Sequence, residues 1–333
     1  MAYITLNKKY FFNNLDIIAD KTKSKDKIAL VLKDNAYGHG ILQIAEMAHE
    51  YGITKAVVRC DTEAQMVKKF FKYILVLNDF PTSSNTITSY TINDIQNITK
   101  FPQGTKVELK IDTGMSRNGI DMSETEKALE LIKKQKLQLE AVFTHHRSAD
   151  ELSSEWFWQN ENFKEIKKRV SKCGWNPKFH SANSASLFRC DNFSEDMARV
   201  GIAAYGCMEN SDVLNVDGLK PILSLYASKI SSRKLHRGQR VGYGATYEAH
   251  GSYTLGNYDF GYGDGFLRSC SNNYKTPTNK ELAGRISMDN SSFLCDDDEL
   301  LVFDDARQVA KSANTISYEV LTSLKPYIKR VVI

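Results

Sequence analysis

The sequence predicts an α/β protein in which an N-terminal parallel barrel of strands and helices is followed by a mostly β C-terminal domain. Short apolar runs alternate with amphipathic segments through about the first 200 residues, which is typical of strands joined by crossover helices. After about residue 220 the pattern changes to period-two alternation and glycine turns. A chain of 333 residues suits two domains, so we place the barrel at 1–220 and the β domain at 221–333.

The strands of the barrel are predicted from apolar runs. These runs are KIALVL, KAVV, YILVL, KVELKI, LEAVFT and ARVGIAAY. Between them, apolar residues recur at the helical spacing of three and four, at Ile41, Ile44, Ala45 and Ala48 and again at Phe163, Ile166 and Val170. We therefore expect two helices that pack these faces on the sheet.

The β domain is predicted from four segments that alternate apolar and polar residues. They are LSLYASKI, YTLGNYDFGYG, GRISMD and FLCDDDELLVF, and each favours an antiparallel strand. The acidic run from Asp296 to Glu299 lacks the alternating ligand spacing and the central glycine of a calcium loop. We expect it to form a solvated turn.

Composition and charge exclude several classes of function. The net charge of +4 comes from residues spread along the whole chain, so nucleic-acid binding is not predicted. No secretion signal or apolar run of membrane-spanning length is present, so we expect a cytoplasmic protein without a membrane partner. The six cysteines lack CxxC spacing and predict reduced packing thiols, and no metal site is predicted. The common nucleotide-binding glycine motifs are also missing.

Polar residues at the strand ends indicate the chemistry, because a parallel barrel presents its functional side chains at the carboxyl ends of its strands. Five strand ends offer such residues, namely Lys33, Lys110, the pair His145 and His146, the SANSAS segment after NPKFH, and Arg199. A lysine can bind a carbonyl carbon covalently, small residues with free N–H groups suit a phosphate, and an arginine suits a ring nitrogen or a carboxylate. Pyridoxal 5′-phosphate needs all three.

Seven segments distributed over the chain resemble the motifs of one known family, in the same order. They are KDNAYGHG, IDTGMSRNG, THHRSADE, HSANSA, RVGIAAYG, GYGATYEA and GRISMD. On these segments the sequence is similar to the alanine racemases, and the similarity extends from YITLNKKYFFNNL to ISYEVLTSL. The resemblance implies an eight-stranded (β/α) TIM-type barrel, a pyridoxal 5′-phosphate cofactor and racemisation of alanine.

The resemblance also implies which residues hold the cofactor. Lys33 would bind it covalently and would act as one of two bases. The phosphate would be held by Tyr37, Ser184, Tyr318 and the backbone N–H groups of Gly201 and Ile202. Arg199 would face the ring nitrogen, and its permanent charge would disfavour protonation of that nitrogen. The ring would then be a weaker electron sink, which limits side reactions.

The resemblance gives Tyr243 as the second base. Lys33 would take the Cα proton from D-alanine, and Tyr243 would take it from L-alanine on the opposite face. A tyrosine that acts as a base near neutral pH needs help from its neighbours. The resemblance implies that His145, in contact with Arg199, supplies this help.

Substrate binding and assembly are likewise implied by the resemblance. Arg117 would orient the substrate carboxylate, and Lys110 matches a lysine that is often carbamylated in the family and positions this arginine. Tyr262, Met288 and Asp289 would line the entrance and the substrate site from the second subunit, together with the second base. We therefore expect a homodimer with two composite sites, which supplies D-alanine for peptidoglycan.

Some residues depart from the family pattern. His146 and Arg147 stand where the family usually has a bulky apolar residue and an alanine, Gly242 stands where serine is frequent, and Phe143 replaces the usual tyrosine. The first departure leaves open which histidine faces the ring. We assign His145 on its position in the motif.

Four alternative functions are compatible with parts of the sequence. The first is an amino-acid decarboxylase with the same domain plan, although the motifs that bind a distal substrate charge are not found. The second is a racemase for another small amino acid such as serine, since such pockets discriminate weakly. The third is a cofactor-carrying barrel without activity, which predicts no β domain and no GYGATY. The last is a metal hydrolase, but only His145 and His146 are adjacent, and neighbours on a strand point to opposite faces.

Overall fold

The fold consists of a barrel and a second sheet, seen in a computed structural model that describes residues 1–82, 86–209 and 216–333. In these ranges, eight parallel strands are hydrogen-bonded in one continuous order. The two end strands, Lys178–His180 and Ala198–Val200, approach each other through a bond from Arg199 N to Ala182 O of 2.9 Å. The barrel is therefore nearly closed, and the predicted fold class is confirmed.

Strands and helices alternate along the barrel. The barrel strands are Ile28–Val31, Lys55–Val58, Tyr73–Val76, Thr88–Ile92, Lys106–Asp112, Gln138–Phe143, Lys178–His180 and Ala198–Val200, with the short strand Ile120–Asp121 beside the fifth. The helices are Lys8–Thr22, Ile41–Tyr51, Asp61–Val67, Thr125–Lys134, Glu155–Lys172 and Ser184–Arg189, with 3₁₀ segments at Lys25–Lys27, Ile95–Lys100 and Met122–Glu124. Each of the six apolar runs overlaps a strand, as predicted.

The two predicted helix faces pack on the barrel. In helix Ile41–Tyr51 the buried residues include Ile41, Ile44, Ala45 and Ala48. In helix Glu155–Lys172 they include Phe163, Ile166 and Val170. Because helices cover the outside of the barrel and side chains fill its inside, a strand such as Ile28–Val31 is buried on both faces and is apolar throughout.

One barrel strand, Thr88–Ile92, was not predicted from the sequence. All five of its residues are buried, yet Thr88, Ser89 and Thr91 are polar. The strand therefore contains no apolar run, although threonine and tyrosine favour strands.

The second sheet contains the first strand of the chain. Its strands are Tyr3–Leu6, Leu223–Leu235, Tyr253–Tyr258, Ser291–Phe293, Glu299–Phe303 and Lys329–Val332, with Arg240–Val241 and Tyr247–Glu248 as a separate pair, helices Ala306–Ala313 and Ser317–Ser323, and 3₁₀ segments at Tyr243–Ala245 and Arg268–Cys270. Strand Tyr3–Leu6 lies antiparallel to Leu223–Leu235 and parallel to Lys329–Val332. The chain thus starts in the β domain and then enters the barrel, and the boundary at residue 221 stays a prediction.

The prediction of a strand at GRISMD is wrong. Residues 284–289 form a loop, because their carbonyl groups bond to another loop instead of a neighbouring strand: Ser287 O accepts from Tyr262 N at 3.0 Å and Met288 O accepts from Gly263 N at 2.7 Å. In the acidic run, Asp296 to Asp298 lie outside any helix or strand and Glu299 begins a strand, and Lys229 Nζ lies 2.8 Å from a carboxylate oxygen of Asp298. The six cysteines are free. No helix in the described ranges is long and apolar enough to cross a membrane.

Candidate active site

Lys33 begins a strained turn at the carboxyl end of strand Ile28–Val31. The next four residues, Asp34 to Tyr37, all have left-handed φ angles between +51° and +56°. Residues other than glycine adopt this conformation reluctantly, at a cost of about 1–2 kcal/mol each, and such strain is typical of functional sites. The turn is held by Glu63, whose carboxylate accepts from Asp34 N at 2.8 Å, and it ends at Gly38. The strand and the turn together fix the backbone position of Lys33, whose side chain is half-exposed.

A small region beside this turn, which we call the donor pocket, is surrounded by five residues: Tyr37, Ser184, Gly201, Ile202 and Tyr318. The Tyr37 ring lies 5.6 Å from the ring of Tyr318, and its hydroxyl lies against Gly201, where a Cβ would come within 2.9 Å of the oxygen. Ser184 Oγ accepts the backbone N–H of Gly201 at 3.2 Å. Ile202 is the next residue of this buried turn.

The donor pocket is suited to an anion. Burial raises the pKa of Tyr37 and of Tyr318, so both phenols keep their protons and remain hydrogen-bond donors near neutral pH. Ser184 Oγ lies close to two backbone N–H groups, those of Gly201 and Ala203 (3.4 Å). The pocket therefore presents three hydroxyl groups and backbone N–H groups in one place, and none of these five residues carries a charged side chain.

Four cationic side chains meet beside this pocket. Burial and the positive charges of Arg117, Arg199 and Lys33 together lower the pKa of Lys110 to about 8, against a smaller opposing effect of Asp112. Lys110 forms no ion pair with a residue in the described part of the chain. Of the four cations, only Lys33 has an ion-pair partner among the described residues, Asp34 at 3.9 Å, so an anionic ligand would be stabilised here.

Arg199 is the buried member of this group. Its guanidinium donates to Thr144 O at 2.7 Å and to Ser181 O at 3.0 Å, and it also contacts Nδ1 of His180. Burial lowers the pKa of Arg199 to about 10, against the opposing charges of Glu195 and Glu108. The guanidinium therefore keeps its charge near neutral pH and is held in one orientation.

The adjacent histidines lie in different surroundings. Burial lowers the pKa of His145 well below its usual range, and the charges of Arg199, Lys110 and Arg117 act in the same direction. His146 instead lies within hydrogen-bond distance of Ser186, with 2.8 Å between Nδ1 and Oγ. Burial and the charge of Arg199 also lower the pKa of His146. The further effects of Lys110 and Arg117 on His145 nevertheless support the choice of His145 as the histidine that faces the cationic group.

Four predicted residues do not join this site within one chain. Tyr243, Met288 and Tyr262 have 68%, 55% and 41% of their surface exposed. The loops that carry Tyr262, Met288 and Asp289 are joined by the backbone bonds described above. In the described part of the chain, no hydrogen bond or ring contact connects Tyr243 to the barrel.

Sequence reasoning missed two residues beside the site, namely His180, which contacts Arg199, and Glu108, which contacts His180. His180 Nε2 lies 2.8 Å from Oε2 of Glu108, and both side chains are buried inside the barrel. His180 belongs to the HSANSA motif but was not given a role. The available signal for Glu108 was an acidic residue inside the apolar run KVELKI.

Comparison with known proteins decides the family. The model of the alanine racemase N-terminal domain matches residues 6–209, and that of the alanine racemase C-terminal domain matches residues 222–332. The chain belongs to the alanine racemase family. It is 45% identical to the alanine racemase of a Nitratiruptor species over 99% of both chains. An amino-acid isomerase is therefore indicated, in preference to a decarboxylase, an inactive barrel or a metal hydrolase.

Solved alanine racemase structures share the fold. The enzyme from Clostridium difficile 630 superposes with a TM-score of 0.89 at 26% identity, covering 100% of this chain and 95% of that chain. The alanine racemase from Bartonella henselae, which has covalently bound pyridoxal phosphate, superposes with a TM-score of 0.83 at 25% identity, covering 100% and 99%. Among the described residues, no group of three His, Cys, Asp or Glu could hold a metal ion.

Proposed function

We propose that the chain interconverts L-alanine and D-alanine as a homodimer with pyridoxal 5′-phosphate, using Lys33 of one subunit and Tyr243 of the other as the two bases. The observation that carries the proposal is the meeting of Lys33, Lys110, Arg117 and Arg199 beside the donor pocket. A cofactor phosphate and a substrate carboxylate are the two anions that this arrangement would bind.

The donor pocket fits the phosphate of the cofactor. Gly201 leaves the space in which a Cβ would reach the Tyr37 hydroxyl, and the pocket hydroxyls and N–H groups are the donors that a phosphate needs. Arg199, held by the Thr144 and Ser181 carbonyl groups, would direct an N–H at the ring nitrogen. When bound, the cofactor supplies a conjugated ring that withdraws electrons from the Cα of the attached amino acid. The covalently bound cofactor of the Bartonella henselae relative supports this assignment.

The two bases divide the proton transfers. Racemisation removes a proton from one face of Cα and returns another on the opposite face, so one group is needed on each side. Lys33 Nζ takes the proton from D-alanine, and Tyr243 Oη takes it from L-alanine. After each removal, the other residue returns a proton to Cα.

A second subunit would bring Tyr243 to the site. The exposure of Tyr243, Tyr262 and Met288 supports this, since together they offer a large apolar surface that a partner can cover. Arg285 lies beside Gly244, three positions before Met288, and so connects the Tyr243 loop to the other exposed residues. The complete site would then need residues from both subunits.

Arg117 and Lys110 bind the substrate carboxylate in this proposal. Arg117 is exposed at the mouth of the barrel and can pair with a carboxylate through two N–H groups. Lys110, whose pKa is lowered to about 8, has an appreciable neutral fraction near neutral pH. A neutral amine can react with carbon dioxide to give a carbamate and a proton, and the resulting anion would position Arg117.

The substrate is alanine, and serine would be excluded only weakly, because a hydrophobic pocket discriminates poorly against one added hydroxyl. D-alanine produced in the cytoplasm would supply peptidoglycan synthesis. The barrel at 1–220 and the β domain at 221–333 are the proposed units of the subunit.

The Lys33→Ala variant tests the proposed function. The purified wild type should be yellow from covalently bound cofactor and should racemise L-alanine faster than L-serine. K33A should lose both the colour and the turnover, because no other amine takes the place of Nζ. Lys164→Ala, which removes an exposed lysine paired with Glu161, is the matched control and should keep both. A colourless wild type that pyridoxal phosphate does not reconstitute would overturn the proposal.

A further inference from the structure

Four side chains form a continuous hydrogen-bonded series across the inside of the barrel. Tyr73 Oη bonds to Oε1 of Glu108, Oε2 of Glu108 lies 2.8 Å from Nε2 of His180, and Nδ1 of His180 contacts Nη1 of Arg199. The four residues belong to four different barrel strands. Glu108 is 1% exposed and His180 is fully buried, so water does not compete for these bonds.

The hydrogen-bonding roles in this series follow from Arg199. A guanidinium only donates, so Nδ1 of His180 must accept and carries no proton. Burial and the charge of Arg199 lower the pKa of His180, so the ring is neutral and its single proton is on Nε2. That N–H points at Glu108, which must therefore accept it. With the donor Arg199 on Nδ1 and the acceptor Glu108 on Nε2–H, only one tautomer of His180 fits.

Two further contacts fix the planes of these groups. The Phe143 ring is stacked on the His180 ring, with 4.7 Å between centroids and 11° between planes. The Arg199 guanidinium also lies over Phe143, at 5.1 Å from the ring centre. Phe143 therefore sets the plane of the histidine, and Glu108 sets its rotation within that plane.

We propose that Glu108 is a positioning residue for racemisation, which acts by accepting Nε2–H of His180 so that Nδ1 holds the Arg199 guanidinium against the ring of the cofactor. The inference rests on the proposed function in one respect, that Arg199 faces this ring. Without the carboxylate of Glu108, the buried Nε2–H of His180 would have no hydrogen-bond partner. The histidine ring would then lower its free energy by turning away from Arg199 to find one. In the wild type, the fixed Arg199 guanidinium would keep the nitrogen of the cofactor ring unprotonated.

Glu108→Leu and Glu108→Gln separate positioning from charge. Leucine removes the acceptor at similar volume. Glutamine keeps it, because its amide oxygen can accept from His180 and its amide N–H can donate to Tyr73. Glu140→Gln, a partly exposed glutamate that pairs with Lys106 at 3.7 Å, is the matched control.

For E108L we expect a shifted absorbance of the bound cofactor and a kcat lower by roughly tenfold or more, the size expected for one buried donor left without an acceptor. The KM for alanine should change much less, because Arg117 is untouched. E108Q should restore the absorbance and most of kcat, and E140Q should match wild type. If E108L and E108Q lower the melting temperature but leave absorbance and kcat as in wild type, Glu108 is merely structural and the inference is wrong.

The tautomer of His180 gives a test that needs neither cofactor nor turnover. In ¹⁵N NMR spectra of the cofactor-free wild type, the His180 proton should be on Nε2. A proton on Nδ1 would overturn the inference even if E108L does not fold. A wild type that binds no pyridoxal phosphate would instead refute the proposed function, and this result is distinct from the NMR result.

Discussion

The hydroxyl oxygen of Tyr37 lies so close to the backbone of Gly201 that a Cβ on this glycine would be 2.9 Å from it and 3.0 Å from two ring carbons. The Tyr37 ring has little freedom to move, because it is buried and packed between the rings of Tyr205 and Tyr318. The glycine is thus required by the approach of a side chain and not by its φ angle.

Gly201→Ala should therefore weaken cofactor binding. The methyl group would push the Tyr37 hydroxyl out of the donor pocket, and overpacking of this kind costs about 1–3 kcal/mol. Titration of the cofactor-free protein with pyridoxal phosphate should give a dissociation constant roughly tenfold or more above that of wild type. Gly251→Ala is the control, since its Cβ would meet nothing closer than 3.5 Å. Equal affinities for G201A and G251A would contradict the prediction.

Mixed dimers test whether the site is composite. Suppose that Lys33→Ala and Tyr243→Phe subunits are mixed in equal amounts and allowed to exchange. In a heterodimer, one site receives both defects and the other receives Lys33 and Tyr243 intact. Half of the dimers are then heterodimers with half of their sites active, so about a quarter of wild-type activity should return.

Each variant alone provides the baseline for this experiment. The two homodimers should each have low activity, and the mixture should exceed their mean. An active monomer at the assay concentration in sedimentation experiments would contradict the composite site. So would a mixture that is no more active than the separate proteins.

The sequence predicted the barrel well where its strands are apolar and poorly where polar groups are buried. A strand of a parallel barrel is covered on both faces, which makes runs such as that of Ile28–Val31 conspicuous. Strand Thr88–Ile92 is equally buried but polar, and GRISMD alternates like a strand while its carbonyl groups bond to a loop. Both failures depend on long-range contacts that no local pattern contains.

The candidate site was predictable to the extent that its residues lie near the carboxyl ends of strands. Lys33 and Arg199 could be placed because the carboxyl ends of parallel strands meet. Glu108 could not be assigned a role, because it is connected to Arg199 through His180, which lies 72 residues further along the chain. The left-handed turn after Lys33 was also unforeseen, since two of its four left-handed residues, Ala36 and Tyr37, rarely adopt that conformation.

Lys110 should form a carbamate. Its pKa of about 8 means that the neutral, nucleophilic amine becomes more abundant as the pH rises from 6 to 8. In the presence of ¹³C-labelled bicarbonate, a carbamate ¹³C signal should grow over this range and should be missing in Lys110→Arg. Lys106→Arg, on the same strand and paired with Glu140, should keep the signal. A signal that persists in K110R would assign the carbamate to another lysine.

His39 should make the protein less stable in acid. Its ring is fully buried and stacked on Tyr205, and Nδ1 lies 2.9 Å from the carbonyl oxygens of both Ala36 and Tyr37. Burial lowers the pKa of His39 to about 4, against a smaller opposing effect of these carbonyl groups. Between pH 6.5 and about 4 the unfolded chain therefore binds a proton here that the native protein does not bind. The free energy of unfolding falls as the pH decreases through this window.

Urea unfolding of His39→Phe between pH 5 and 6 measures this contribution. Phenylalanine keeps the stacking on Tyr205 but cannot titrate, so the free energy of unfolding should depend on pH with a slope smaller by about one proton than in wild type. Loss of the Nδ1 hydrogen bonds should lower stability at every pH, and therefore changes the intercept and not the slope. His236→Gln, which replaces an exposed histidine, should retain the wild-type slope. If H39F and wild type have the same slope, His39 is already protonated in the native protein.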